Sequence, residues 1–177
     1  LSCGRSVEML ADARSRGIAV TADVAMHQLV FTEEALAGFD SRFHVRPPLR
    51  SESDRKALIA GVRDGVIDAI VSQHQPHDTA AKQAPMAATE PGLSSIESVL
   101  SLGLELVEMN ELALPDLIRA LTTGPASVLG RTARLAEGET ADICLFDPDA
   151  FWTPGPKTLV SACRHAPVTD RKLPGVV

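Results

Sequence analysis

Short runs of continuous apolar, β-branched residues alternate with amphipathic helical stretches through the first half of the chain. This alternation limits the fold more than any other feature. Residues 18–24 (IAVTADV) and 67–72 (IDAIVS) are apolar along their length rather than at every second position. A strand with one wet face alternates, whereas one covered on both faces does not, and the second pattern belongs to parallel sheets under helices. Between the runs, residues 53–64 (SDRKALIAGVRD) place Leu58, Ile59 and Val62 on one helical face, with Gly65 just beyond. Residues 6–16 (SVEMLADARSR) predict a preceding helix with Ser6 as its cap and Gly17 past its end. Thr32 caps a turn with Glu33 and Glu34 at its start, and residues 43–45 predict a further short strand stopped by Pro47 and Pro48. Strand, helix, strand, helix, strand with short connections predicts an α/β fold.

Residues 73–94 carry Pro76, Pro85, Pro91 and Gly92 with little periodicity, and predict a long loop of the kind that is functional or mobile. Helices are predicted over 95–110 and 115–122, with Pro115 at a tolerated first-turn position and a last turn at 126–129. The character changes beyond Leu135. A turn at 138–140, a strand over 143–146 (ICLF) and a turn at 147–149 lead into proline-rich extended segments. The boundary is placed near residue 133, giving units of 1–132 and 133–177, the second a small β-rich module.

Composition narrows the function. Of 177 residues, 45% are hydrophobic and the net charge is −6, with acids and bases interspersed. Without a basic stripe, and with aromatics at 3%, nothing invites nucleic acid. No apolar run approaches the roughly 18 residues that span a bilayer, so no membrane partner is expected. Cys3, Cys144 and Cys163 are odd in number and widely spaced, which fits reduced structural thiols and a cytoplasmic location. Leu1-Ser2-Cys3-Gly4 runs straight into a helical pattern, and a chain cut from something longer is expected.

Five histidines can be weighed singly. His27 follows the first apolar run, and His74 and His77 follow the second. In a parallel α/β barrel, groups just past the strand C-termini line the active-site face. With Asp78 these imidazoles prompt a metal-site reading. The plainer reading is that loop histidines are surface or hydrogen-bonded groups. Pro76 disfavours helix at Gln75, so the i, i+3 spacing of His74 and His77 does not force the rings together. Both readings stay open at this point. His44 and His165 read as structural or surface residues. Cys3 could be a nucleophile, but no histidine pairing is visible for it. Neither GxGxxG nor GxxxxGK[ST] occurs, so no phosphate loop is expected.

Four segments then resemble one family. VTADVAMHQL (20–29) resembles the dihydroorotase stretch VTAEVTPHHL. The run FDSRFHVRPPLR followed by a helix and IDAIVSQHQPH (39–77) resembles that family's YDxxxKVNPPLR, helix and IDxIATDHAPH. TTGPASVLG (122–130) resembles TxNPAxxxG, and GETADICLFDPDAFWT (138–153) resembles GADADLVLFDPxxxWT from the small β-module of the amidohydrolase superfamily. The chain is thereby identified as a member of the dihydroorotase family. The resemblance implies the C-terminal part of a metal-dependent (β/α)8 TIM barrel, about strands 6–8, followed by part of a small β-sandwich module. Such enzymes reversibly cyclise carbamoyl aspartate to dihydroorotate. The HxH pair of the first strand, the strand-4 carboxylate and the strand-5 histidine would all precede Leu1, because LSCGRSVEML resembles HVSTARSVEL.

At two positions the chain departs from the family. The strand-6 ligand histidine corresponds to Gln28, with His27 one residue earlier, where a step along a strand end would point the side chain the other way. The aspartate that opens DHAPH, a metal ligand and general acid/base in the family, corresponds to Gln73. A carboxamide cannot shuttle a proton near neutral pH, a role worth about 10²–10⁴-fold in rate. The resemblance therefore implies no catalytic residue and no resident metal, with His27, His74 and His77 as residual metal candidates. It implies a non-catalytic dihydroorotase-like subunit in pyrimidine biosynthesis. Its partners would be the aspartate transcarbamoylase catalytic subunit and the N-terminal half of the same barrel. Two alternatives are a zinc-dependent cyclic amidohydrolase with a remodelled site and a sensor of pyrimidine intermediates. Open strand edges in a partial barrel predict that residues 1–177 do not fold stably alone.

Overall fold

A computed structural model, which describes residues 1–163 and 165–177, places two short parallel strands at the centre of the α/β part. β1 (Asp23–Ala25) pairs with β2 (Ala69–Val71) in the register Asp23↔Ala69, Val24↔Ile70, Ala25↔Val71. The first apolar run is longer than the strand it yields. Ile18 is 47% exposed, and the backbone before Asp23 is held by side chains instead of a ladder. The Ala22 N–H donates to the Asp68 carboxylate at 2.8 Å, and the Arg14 guanidinium donates to the same oxygen and to the Val20 carbonyl. The parallel sheet has two strands, and no closed barrel is formed among the described residues.

α1 (Gly4–Ser15) starts one turn earlier than Ser6 would place it. Cys3 occupies the cap without a side-chain cap bond, and the Gly4 N–H is satisfied by Asp54 Oδ1 on α3 at 2.8 Å. After β1 the chain turns directly into α2 (Met26–Val30), whose Met26 and Leu29 join the core. The expected strand at 43–45 is absent. Asp40 accepts from the Arg42 amide, and residues Ser41–Phe43 wind into a 3-10 turn. α3 (Glu52–Arg63) is capped by Ser51, whose Oγ accepts from the Asp54 N–H, and it buries Leu58, Ile59 and Val62 as its pattern predicts. α4 (Val99–Glu108), α5 (Leu114–Leu121) and α6 (Thr123–Val128) follow. Leu117 of α5 packs where the α4 backbone is bare at Gly103, a position at which any Cβ would meet its methyl groups.

A second, smaller core gathers Val45, Leu49 and Leu93 beneath Phe31 and Phe43. The two rings meet edge to face at 5.1 Å. Near the C-terminus, residues 143–146 do not form a strand. Pairing occurs instead between β3 (Asp147–Trp152) and the antiparallel β4 (Leu173–Val176). The expected turn at Asp147-Pro148-Asp149 survives inside β3: Asp147 Oδ1 accepts from the amides of Asp149 and Ala150, and the register shifts there. Leu173 and Val168 enter the main core, and the Trp152 indole donates to Ser101 on α4. No helix among the described residues is long and apolar enough to cross a membrane.

Gly124 lies in the first turn of α6 against β2. A Cβ there would be driven into the backbone carbonyl oxygen of Asp68. Helix propensity alone favours Ala over Gly by about 1 kcal/mol, so the direction of the effect is diagnostic. Gly124→Ala is expected to lower unfolding stability by roughly 1–3 kcal/mol, while Gly38→Ala, in open space, changes it by less than about 0.5 kcal/mol. Urea titration of both variants measures this.

Candidate functional site

α2, which leaves β1, and the loop that leaves β2 both reach the segment Arg46-Pro47-Pro48, whose Arg46–Pro47 bond is cis. His27 and Gln28 lie on α2, so the step between them is a helical rotation of about 100° rather than an alternation along a strand end. That corrects the expected geometry, because both side chains are buried, each 2% exposed. Gln28 Nε2 donates to the Pro47 carbonyl at 2.9 Å, with the Pro48 carbonyl at 3.4 Å. Both partners are acceptors only, so the amide nitrogen must face them.

Gln73 follows β2 with φ of 46°, a left-handed conformation uncommon for residues other than glycine. Its Nε2 donates to the Arg46 carbonyl at 2.8 Å. The two glutamines therefore converge on neighbouring carbonyls of one segment.

The histidines do not converge. His74 Nδ1 accepts from the amides of Ser95 and Ile96 at 3.1 and 3.2 Å, and Ser95 Oγ donates to the Ser72 carbonyl. His77 Nε2 donates to the Pro91 carbonyl at 3.1 Å. The pair thus fastens residues 73–77 to residues 91–96. Gly92 makes this approach possible, since a Cβ would meet Gln75 and His77. Asp78 Oδ1 accepts from the Ala81 amide. An open cleft of about 700 Å³ lies beside His77, between residues 76–79 and 161–163.

The donor set does not suit a metal. His74 has its ring acceptor Nδ1 taken up by two backbone amides, and the glutamine nitrogens point at carbonyls, whereas the bond from His77 Nε2 to Pro91 leaves Nδ1 with a lone pair. Among the described residues no three His, Cys, Asp or Glu side chains come together to hold an ion. His27 is different again. Among the described residues neither of its ring nitrogens has a hydrogen-bond partner, and burial lowers its pKa from 6.5 to about 4.

Other sequence candidates prove local. Cys3 Sγ lies 3.2 Å from Ser6 Oγ, which lowers the thiol's pKa. His44 Nδ1 bonds Thr89 Oγ1 at 2.8 Å. Lys82 was not legible from its residue type: it is buried while its ammonium donates to the Glu90 carbonyl at 2.7 Å and the Ser41 carbonyl at 3.3 Å. A lone lysine in a polar loop reads as surface. Its carbonyl partners, like those of the glutamines, are backbone groups that no residue type announces.

Comparison with known proteins follows the same outline. The amidohydrolase family model matches residues 6–173. A dihydroorotase-like protein of Pseudomonas aeruginosa is 47% identical over the whole chain, and a dihydroorotase of Desulforapulum autotrophicum is 36% identical, also over the whole chain. In both cases the chain spans 42% of the relative's length. Among solved structures, the L-hydantoinase (dihydropyrimidinase) of Arthrobacter aurescens superposes with a TM-score of 0.91 at 23% identity. That match covers 99% of this chain and 41% of that one, and at this identity it speaks to the fold alone.

The bare His27 ring sets a pH dependence. The native ring stays neutral to about pH 4, whereas the unfolded chain takes up a proton near pH 6.5. Stability contributed by the neutral ring is therefore complete above about pH 6.5 and lost as pH falls towards 4, on the order of 3 kcal/mol in all. His27→Leu is expected to flatten that acid limb in denaturant titrations between pH 4 and 7, and to raise stability at pH 5.

Proposed function

Because the chain belongs to the amidohydrolase family, we propose that it serves as a non-catalytic dihydroorotase-like subunit. On this reading residues 1–132 are the C-terminal part of a TIM barrel, about strands 6–8, and residues 133–177 belong to a small β-domain. The observation that carries the proposal is the pair Gln28 and Gln73, at the two motif positions where the family places a metal-binding histidine and a proton-transferring aspartate. A carboxamide neither ionises nor accepts a proton near neutral pH, so the step that activates water has no base. His74 Nδ1, occupied by two backbone amides, supports a metal-free site.

What such a subunit retains is shape. A docking surface needs a complementary outline and an apolar centre, not a working site. The partner proposed is the catalytic chain of aspartate transcarbamoylase, in the cytoplasm, with the other half of the barrel completing the fold. Exposed apolar residues such as Ile143 and Leu145, the latter 82% exposed, support a fold whose cover is supplied by further polypeptide.

Metal analysis of the full-length protein, combined with a dihydroorotate-formation assay, tests the non-catalytic reading. The expected result is substoichiometric zinc and no turnover above the blank, together with co-purification of aspartate transcarbamoylase. Stoichiometric zinc with clear turnover sinks it in favour of a remodelled amidohydrolase. A thermal shift with dihydroorotate but no co-purification favours a sensor.

A further inference from the structure

We infer that Gln28 and Gln73 form a carboxamide brace, which ties the ends of β1 and β2 to the 46–48 segment and does mechanically what a shared metal ion does between converging side chains. The inference deepens the metal-free reading above and rests on it.

The geometry is specific to a donor. Arg46, Pro47 and Pro48 present carbonyl oxygens, which only accept. Gln28 meets Pro47 at 2.9 Å and Gln73 meets Arg46 at 2.8 Å, so neighbouring peptide units are held from two different elements. At buried position 28 an ionised carboxylate would set negative charge against a carbonyl dipole, and an apolar side chain would leave the carbonyl without its bond, whereas at exposed position 73 water can take the amide's place. The carboxamide is therefore matched to this site, rather than being merely what remains when a ligand is lost.

The braced segment also has a job in the fold. Val45 and Leu49 flank the three carbonyls and are both buried in the second core. Holding residues 46–48 thus couples that core to the strand ends. Gln28 is almost fully buried, and its bond offsets the loss of water at its amide. Gln73 makes its bond from a left-handed backbone.

Two substitutions at position 28 separate a donor requirement from simple filling of space. In the full-length protein, Gln28→Met keeps the length and removes the donor. A fall in Tm of roughly 3–8 °C is expected, with amide hydrogen exchange across residues 44–50 about tenfold faster and exchange in α5 unchanged. Gln28→Glu is expected to melt below the Met variant at pH 7. Burial against carbonyls raises the folded pKa of the introduced acid above its unfolded value near 4.3. Its stability is therefore complete below about pH 4.3, where the protonated acid donates, and is lost as pH rises through the folded value. The Glu variant should accordingly overtake the Met variant at low pH.

Should either variant fail to fold, Gln73→Ala at the exposed partner position gives the same local readout, faster exchange at 44–50. The brace is overturned if exchange at 44–50 matches wild type in the Met and Ala variants, or if the Glu and Met variants keep one order of stability at every pH. Zinc binding and turnover by the wild-type protein would instead refute the non-catalytic reading. That outcome is scored separately from the exchange of residues 44–50.

Discussion

The carboxylate of Asp68 is the point on which the α/β part is hung. It receives the Ala22 amide and the Arg14 guanidinium, while Arg14 also donates to the carbonyls of Val20 and Gly65. One half-buried ion pair thereby fixes α1, the entry to β1 and the entry to β2 relative to one another. The register that follows places residue 25 beside residue 71, so the chain leaves both strands on the same side. Packing of α6 uses the same residue from its backbone side, because Gly124 sits on the Asp68 carbonyl. With the two exits side by side, the side chains of α2 and of the loop after β2 have one target between them.

Much of this frame was legible in the residues. Leu58, Ile59 and Val62 announce the buried face of α3, and the continuous apolar runs announce a parallel pair. Lengths and caps were less legible, because they depend on partners distant in sequence. The helix expected to be capped by Ser6 begins instead at Gly4, whose N–H is satisfied by Asp54, and the run that begins at Ile18 yields a ladder only from Asp23 onward. Residues 143–146 carry a clear strand composition yet pair with nothing among the described residues. β3 forms instead over the neighbouring Asp147-Pro148-Asp149, where local turn chemistry survives as a bulge. Composition states a preference for strand, and pairing decides where the strand lies.

The site divides in the same way. The motif positions of Gln28 and Gln73, and the placement of His27, His74 and His77 past two strands, could be read from spacing. The roles of the histidines could not. His74 and His77 serve as fasteners for the loop at 91–96, and His27 is a bare ring in the core. What distinguishes these fates is which backbone amide or carbonyl lies opposite, and the alphabet of side chains does not record it. Lys82 makes the same point, as a buried cation whose ammonium is held by two backbone carbonyls.

The carbonyls of residues 46–48 also bear on how such a site can change over time. They are fixed by the backbone and accept wherever they point, so they select among the residues that face them. An aspartate arriving alone at position 73 would confront the Arg46 carbonyl with no cation to receive it. A histidine arriving alone at position 28 would inherit the Pro47 carbonyl with no companion ligand on the other strand. Aspartate at 73 gives up the bond to Arg46, while histidine at 28 keeps one only if a ring N–H is spent on Pro47. A metal-binding arrangement across these two positions would therefore need coordinated changes on both elements rather than one.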